Sequence, residues 1–373
     1  NLNDLEQASE SPRRPLLGDR VGTPGQGPQQ RQRACDARTV HFLPDGDQNP
    51  QQVADNRVRG WQARASNRKD SSLQIRSHLE IKAFIADRNF LPGNPRLSES
   101  IEDYPEGIIL PIDKPYRWTS ADVIRKVKWA ACRHFHKKNL KVGHAGTLDP
   151  LATGVLLVCI GKATKLAETL QKEGKEYLAG VSFGATTPSY DLEKAIDKEY
   201  PVENVTEESV RSILPRFIGE QEQIAPLFSA KSVDGVRAYE LARKQYREAH
   251  IGKNEVMTDF DHTVAETLNK QVINISEIEL VSFHCEGKET MSEIQDEDLR
   301  PNPRINVIDT SEKHFPLAEI KIACSKGTYI RALARDLGEA LGSGAHLNSL
   351  RRTASGGFKV DDALSIKTID AIL

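Results

Sequence analysis

Regular hydrophobic patterning begins only near Tyr104, and this division of the chain constrains its fold more than any single motif. The preceding residues are rich in Arg, Gln, Pro, Gly and Ser. Such a composition buries too little apolar surface to offset the entropy that is lost on ordering. We therefore predict an Arg/Gln/Pro-rich disordered extension over residues 1–103 and one folded domain over residues 104–373.

Strand-like and helix-like patterns then alternate irregularly along the chain. Strands are predicted at residues 106–113, 154–161, 175–183, 272–283 and 318–324. One helix is predicted to begin at Thr119, where a capping-box pattern occurs, and another at Thr328. Because no regular βαβ repeat is present, we predict an α+β fold with a mixed, mainly antiparallel central sheet and flanking helices.

The formal net charge of -2 is the sum of two unlike parts. Residues 1–100 carry a net charge of +3 and the remaining residues carry -5, yet residues 125–141 contain no acid. This run contains seven basic residues: Arg125, Lys126, Lys128, Arg133, Lys137, Lys138 and Lys141. Such a run is often just a solvated surface, but in an acidic domain it also suits the phosphates of RNA or DNA.

The apolar runs and the cysteines indicate the compartment. The longest apolar run, residues 155–160, is far shorter than the ~20 residues that cross a bilayer. The five cysteines form no C-x-x-C pair, which fits free thiols in a reducing compartment, and Cys132, His134 and His136 lack the usual spacing of a zinc site. We therefore predict a cytoplasmic protein without a membrane span or a metal.

Two strings of residues could carry chemistry. Gly143-His-Ala-Gly-Thr-Leu-Asp-Pro-Leu-Ala-Thr-Gly154 runs into a predicted buried strand and could fix a carboxylate beside a ligand. An ordinary Gly-Pro turn that is capped by Asp149 would use the same residues. The second string, residues 325–336, places Arg331 at a strand-to-helix junction, where it could pair with a carboxylate or lie on the helix surface.

The first string resembles the catalytic motif of the TruB-type pseudouridine synthases. The family pattern G-H-x-G-T-L-D-P-x-A-x-G-V-L is present from Gly143 to Leu156. Other family-like blocks follow the family's order between about residues 105 and 358: Asp113-Lys-Pro with Thr119-Ser120, Gly161-Lys-Ala-Thr-Lys165, Lys175-Glu-Tyr177, Gly184-Ala-Thr-Thr with Asp191, Pro226-Leu-Phe-Ser-Ala-Lys231, Arg237-Ala-Tyr-Glu-Leu-Ala-Arg243, residues 325–338 and residues 346–352. The resemblance implies the pseudouridine synthase fold with its active-site cleft.

The resemblance also implies an activity, which is isomerisation of uridine 55 in the T-loop of tRNA to pseudouridine without cofactor or metal. Asp149 would be the nucleophile, Arg331 its partner, and Tyr177 would stack on the flipped base and help to remove a proton. Leu350 would line the pocket, His144 would help to hold the RNA with the base extruded, and Lys114 would give structural support. With Lys137, Lys138 and Lys141, which the basic run itself suggests, these are the predicted substrate-binding residues. These residue types suit the task, because an extruded base needs an aromatic platform and a buried carboxylate needs a cation.

The sequence departs from the family pattern in two places. Arg117 stands where the first motif has Gly, so we expect a shifted turn. The chain ends about twenty residues after the Leu-Arg-Arg motif, so we expect no C-terminal PUA domain. We also expect a monomer. The grip on RNA would then come from the catalytic domain, an insertion at about residues 228–257 and the extension. Residues 285–316 are predicted to form an acidic loop.

Two alternatives remain open at this point. A synthase of the same fold could act on other RNAs or be guided by a partner RNA. The protein could also be an RNA-binding or tRNA-folding module with little catalysis.

Overall fold

The computed structural model describes residues 81–91, 96–229, 232–233, 236–237, 240, 242, 244, 270–286 and 301–373. Every described residue belongs to one compact unit within residues 71–373. The first eighty residues of the predicted extension and most of the predicted insertion at 228–257 lie outside the described residues.

Strands and five α-helices contain most of the described residues. The strands are β1 (Phe84–Ile85), β2 (Ile108–Lys114), β3 (Val142–Ala145), β4 (Ala152–Ile160), β5 (Lys175–Phe183), β6 (Ala185–Thr186), β7 (Lys198–Glu199), β8 (Gly219–Gln223), β9 (Ser232–Val233), β10 (Val236–Arg237), β11 (Gln271–His284), β12 (Leu317–Cys324), β13 (Ala345–Ser355), β14 (Phe358–Lys359) and β15 (Leu364–Ser365). The helices are α1 (Ser120–His134), α2 (Ala167–Lys172), α3 (Glu207–Ile213), α4 (Ile330–Leu341) and α5 (Ile369–Ile372). None of these helices is long and apolar enough to cross a membrane.

One large sheet organises the described part of the chain. Its strand order is β1-β2-β4-β13-β5-β12-β11-β8, and β3, β14 and β15 pair with β4, β13 and β2 respectively. Three of its strand pairs are parallel, namely β1 with β2, β13 with β4 and β15 with β2, and the others are antiparallel. The predicted α+β fold with a mixed, mainly antiparallel sheet is confirmed.

The central strand β4 is buried over its whole length. Its alternate residues enter two different apolar clusters, with Leu156 and Val158 in the larger cluster and Leu157 and Cys159 in the smaller one. A strand that is covered on both faces has no polar side, which explains the unbroken apolar run in the sequence. The loop before β4 is therefore joined to a rigid support.

Helix α1 begins where its capping box predicts. The Thr119 hydroxyl accepts a hydrogen bond from the Asp122 amide at 3.0 Å, and the Asp122 carboxylate accepts one from the Thr119 amide at 2.8 Å. This reciprocal pair satisfies amide groups that the first helical turn leaves open. Inside the helix, Ser120 reaches the loop that precedes β4.

The folded part begins earlier than the sequence predicted. Residues 84 and 85 pair in parallel with β2, Ala86 and Leu97 are buried, and the Leu97 amide donates to the Ile372 carbonyl at 2.9 Å. The predicted boundary at residue 103 is wrong, because this two-residue strand is too short to show a period and its partners lie far along the chain. Strand β13 was not recognised either, because its partners β4 and β5 also lie far from it along the chain.

The second half of the predicted acidic loop at 285–316 contains no strand, but it is not exposed throughout. Residues 287–300 lie outside the described residues, but residues 301–316 pack against the domain, with Ile305 and Thr310 buried. The apolar positions are too sparse in sequence to indicate this packing. Among the cysteines, Cys132, Cys159 and Cys324 are free as expected, whereas Cys285 is disulfide-bonded, which corrects the prediction of free thiols throughout.

Candidate active site

The loop between β3 and β4 carries Asp149 and is held by helix α1. The Ser120 hydroxyl accepts from the Leu148 amide at 3.0 Å and donates to the Leu148 carbonyl at 3.1 Å. Gly146 has φ +95°, a conformation that L side chains rarely adopt, so the turn requires a glycine. Both the amide and the carbonyl of Leu148, the residue before Asp149, are therefore bound to helix α1.

Asp149 and Arg331 form a bidentate ion pair. The Arg331 Nε donates to Asp149 Oδ2 at 2.9 Å, and Nη2 donates to Oδ1 at 3.0 Å. The arginine side chain is only 5% exposed, whereas the carboxylate side chain is 36% exposed. A buried guanidinium thus orients a carboxylate whose outer side remains open to a ligand.

Two further donors of Arg331 bind backbone carbonyls. Its Nη1 donates to the Ser189 carbonyl at 3.1 Å, and Nη2 donates to the Phe228 carbonyl at 3.0 Å. Burial by itself would lower the pKa of Arg331, but the nearby carboxylates of Asp149 and Asp191 outweigh it and raise the pKa. The guanidinium is therefore charged and makes four hydrogen bonds in the fold.

A second carboxylate, Asp191, lies near the same nitrogen of Arg331. Its Oδ2 is 3.8 Å from Arg331 Nε, and its Oδ1 accepts from the Ser189 hydroxyl at 2.6 Å and from the Glu193 amide at 3.0 Å. Burial raises the pKa of Asp191 to about 6, against the opposing effect of Arg331. The sequence placed Asp191 in a family-like block without assigning it a role, since only the fold brings it to Arg331.

A pocket opens beside this cluster. It is lined by Asp149 and Asp191, by Arg331, and by residues of the adjacent loop and strand: Leu151, Ala152, Leu347, Asn348, Ser349 and Leu350. Leu350 thus lies in the same pocket as Asp149. The buried Oδ1 of Asn348 has no hydrogen-bond partner in the described structure, so the pocket offers an unpaired acceptor to a ligand.

Tyr177 lies deeper than the other predicted catalytic residues. It is 8% exposed in strand β5 and does not line the described pocket. It lies opposite Arg352 in β13, and two residues further along β5 Ala179 lies opposite Leu350. Burial raises the pKa of the phenol, although a hydrogen bond with Arg352 and its positive charge oppose that shift.

Arg352 is a buried residue to which the sequence gave no individual role. It is 1% exposed, and its guanidinium donates to the Val155 carbonyl at 2.7 Å and to the Gly146 carbonyl at 3.2 Å. It therefore ties the loop that carries Asp149 to β4 and lies beside Tyr177. Only the cross-strand pairing reveals this function, because in sequence the residue is one of two adjacent arginines.

Lys114 also supports the loop that carries Asp149. Its ammonium group is fully buried and donates to the carbonyls of Pro115 at 2.9 Å, Trp118 at 2.5 Å and Pro150 at 3.2 Å. Burial lowers the pKa of Lys114 to about 7, although the nearby Asp149 acts in the opposite direction. These contacts bind protein carbonyls rather than a ligand, so Lys114 has a structural position.

The other predicted RNA-binding residues lie at or near the surface. His144 is half-buried, its Nδ1 has no partner in the described structure, and burial followed by the charge of Arg352 lowers its pKa. Lys138 and Lys141 are exposed. Lys137 forms an ion pair with Glu102, so the basic run is not free of acidic partners as the sequence suggested.

A partly exposed carboxylate that a buried arginine fixes in a pocket suits the class of enzymes that use an aspartate as a nucleophile. Comparisons with known proteins agree with this class. The "TruB family pseudouridylate synthase (N terminal domain)" model matches residues 133–295, and the "tRNA pseudouridylate synthase B C-terminal domain" model matches residues 331–373.

Relatives that match over most of their own length give the same family. A tRNA pseudouridine synthase B of Phocaeicola vulgatus is 45% identical over 71% of this chain and 93% of its own length, and that of Flavobacterium johnsoniae is 37% identical over 73% and 98%. Among solved structures, a Cbf5-Nop10-Gar1 complex matches with 24% identity and a TM-score of 0.44, over 81% of this chain and 63% of that chain. The chain belongs to the TruB family of pseudouridylate synthases.

Proposed function

We propose that this protein isomerises uridine 55 in the T-loop of tRNA to pseudouridine. The observation that carries the proposal is the Asp149 carboxylate, which a bidentate buried arginine holds at the edge of a pocket that also contains Leu350. Membership of the family and the names of its relatives support tRNA as the substrate class. We further propose that the enzyme is monomeric and cytoplasmic and that it requires no cofactor or metal.

Asp149 is the nucleophile in this proposal. One carboxylate oxygen attacks the target nucleotide at C1′ as the bond from C1′ to N1 breaks, and the bonding electrons leave with the uracil. The uracil turns, and C5 attacks C1′ as the bond to the Asp149 oxygen breaks. A base removes the proton from C5 and N1 gains one, so the product is an isomer of the substrate.

Arg331 prepares Asp149 for this step. The bidentate guanidinium gives the carboxylate anion two charge-assisted hydrogen bonds. The two hydrogen bonds also fix the plane of the carboxylate before the substrate binds. Arg331 therefore acts on charge and orientation rather than as an acid or base.

Tyr177 and Leu350 receive the extruded base. Their strands are paired so that Leu350 lies opposite Ala179, two residues from Tyr177. Burial raises the pKa of the Tyr177 phenol, so the hydroxyl is protonated at neutral pH. The ring is covered in this structure, so it must be uncovered before it can stack on the base and its hydroxyl can help to transfer the proton from C5. The neighbouring Arg352 fixes the hydroxyl end of the ring.

The grip on the RNA comes from His144 near the extruded nucleotide and from Lys137, Lys138 and Lys141 on its phosphates. Lys137 would exchange its ion pair with Glu102 for a phosphate, at little net cost because that pair is exposed. The target base must leave its stack to reach Asp149, so contacts to the backbone hold the RNA while it does so.

The proposal is tested by measuring pseudouridine formation in a T-stem-loop transcript with the wild-type chain and with Asp149→Asn. The amide keeps the shape of the carboxylate but cannot act as the nucleophile, so we expect product from the wild type and none from the variant. The dissociation constant of the RNA should hardly change. Product from Asp149→Asn would overturn the mechanism, and binding without product by both proteins would indicate an RNA-binding module.

A further inference from the structure

Arg117 adopts a backbone conformation that favours glycine, yet it uses its side chain and its backbone to hold another segment. Its φ is +57°, and the family pattern has Gly at this position. The Arg117 carbonyl accepts from the Asn302 amide at 3.0 Å, and its Nη2 donates to the Ile305 carbonyl at 2.9 Å. A left-handed arginine costs roughly 1 kcal/mol or more, and these contacts help to offset that strain.

Asn302 adds a second attachment at the same turn. Its Nδ2 donates to Asp122 Oδ2 at 3.0 Å, and that oxygen also caps helix α1. Its own Oδ1 accepts from the Arg304 amide at 3.1 Å, which fixes the local turn. Residues 302–308, which we call the brace, are thus joined to the start of α1 through the side chains of Arg117 and Asn302.

The other side of the brace reaches the two loops that carry the active-site carboxylates. Buried Ile305 clusters with Leu151 and Leu192, and the Ile308 amide donates to the Leu192 carbonyl at 2.8 Å. Leu151 is two residues after Asp149, and Leu192 directly follows Asp191. Ile305 therefore contacts neighbours of both carboxylates that flank Arg331.

We propose that the brace holds the Asp149 and Asp191 loops in register around Arg331, with Arg117 as the positioning residue that docks it. The part of this inference that concerns turnover rests on the proposed function; the part that concerns loop order does not. Neither Arg117 nor Ile305 touches the substrate in this account. Their effect is to fix the distance between the reacting carboxylate and its guanidinium.

Three variants test the brace. Arg117→Gly and Arg117→Asn both tolerate a positive φ and lack the reach to Ile305, while Arg117→Lys keeps a charged donor of similar length. Hydrogen exchange should become faster at the amides of Ala152, Glu193 and Ile308 in the Gly and Asn variants. Arg117→Lys should restore part of the protection. Arg211→Asn is the control, since it removes one exposed ion pair in α3.

Turnover provides the second measurement. In single-turnover assays at saturating enzyme, Arg117→Gly and Arg117→Asn should react about tenfold to a hundredfold more slowly, because small misplacements of reacting groups are costly. The dissociation constant of the RNA and the rate with Arg117→Lys should stay near wild-type values. A role in stability alone would lower the melting temperature without changing this rate constant.

Two results would overturn the brace: unchanged exchange at Ala152 and Glu193 in both variants, or faster exchange there with wild-type turnover. If the wild-type chain forms no pseudouridine, the proposed function fails instead. Hydrogen exchange at the Asp149 and Asp191 loops then tests the brace independently of activity.

Discussion

Arg331 contacts two carboxylates that are not equivalent. Asp149 is bound through two hydrogen bonds and keeps a 36% exposed side chain, whereas Asp191 lies 3.8 Å away with a side chain that is 6% exposed. Burial raises the pKa of Asp191 to about 6. The exposed carboxylate is therefore suited to attack, and the buried one to hold the arginine.

This difference predicts a pH dependence. As the pH falls through about 6, Asp191 gains a proton and Arg331 loses one of its two anionic neighbours, so turnover should decrease. Asp191→Asn should turn over slowly at every pH and lack this transition. Folding raises this pKa from its usual value of 3.8 to about 6. The contribution of this group to stability is therefore present below about pH 3.8 and is lost as the pH rises from about 3.8 to 6.

A rate measured from pH 5 to 8 for the wild type, Asp191→Asn and the control Asp370→Asn checks this prediction. Asp370 forms an exposed ion pair with Lys126, so the control should keep the wild-type profile. A transition near pH 6 that persists in Asp191→Asn would assign it to another group.

At the scale of elements, local patterns were predictable and distant pairings were not. Strand β5 was predicted at residues 175–183 and is found there, because alternation along one strand needs no partner to be visible. Strand β13 was missed, since its polar residues are buried only by contacts with β4 and β5. The pairing of Arg331 with a carboxylate was inferred from its family, but the contact of Arg352 with Gly146 depends on the sheet alone.

The start of β4 gives a prediction at this scale. Gly154 and Gly219 have nearly the same φ, +101° and +103°, but a Cβ on Gly154 would lie 2.1 Å from the Arg352 carbonyl oxygen, whereas Gly219 faces open space. Gly219→Ala should cost about 1 kcal/mol or more from backbone strain. Gly154→Ala should cost several kcal/mol, because two paired backbones must separate.

Denaturant unfolding of both variants measures these costs directly. The turnover of Gly154→Ala should fall as well, because Arg352 supports the Asp149 loop. Equal losses of stability in the two variants would contradict the close pairing of β4 and β13.

At the scale of the whole molecule, the basic run is partly neutralised by residues outside it. Arg125 pairs with Asp122, Lys126 with Asp370 and Lys137 with Glu102, and the last two partners are distant in sequence. Among the described residues, no carboxylate pairs with the other four basic residues of the run, which are Lys128, Arg133, Lys138 and Lys141. Net charge alone could not identify this surface, since the folded part as a whole is acidic.

The unpaired lysines predict the salt dependence of RNA binding. Replacing Lys138 and Lys141 with Ala should weaken binding and lower the slope of log K against log salt by about 1 for each lysine that contacts a phosphate. Lys313→Ala, which removes an exposed pair with Glu199, is the matched control. An unchanged slope in the double variant would remove these lysines from the RNA surface.

The central claim is that the carboxylate of Asp149 converts one particular uridine of tRNA. The most direct test is to map pseudouridine along a complete tRNA transcript after incubation with the purified full chain, with Asp149→Asn in parallel. Our account predicts pseudouridine at position 55 alone with the wild type and at no position with the variant. Pseudouridine at another position, or an unmodified transcript after incubation with the wild type, would contradict it.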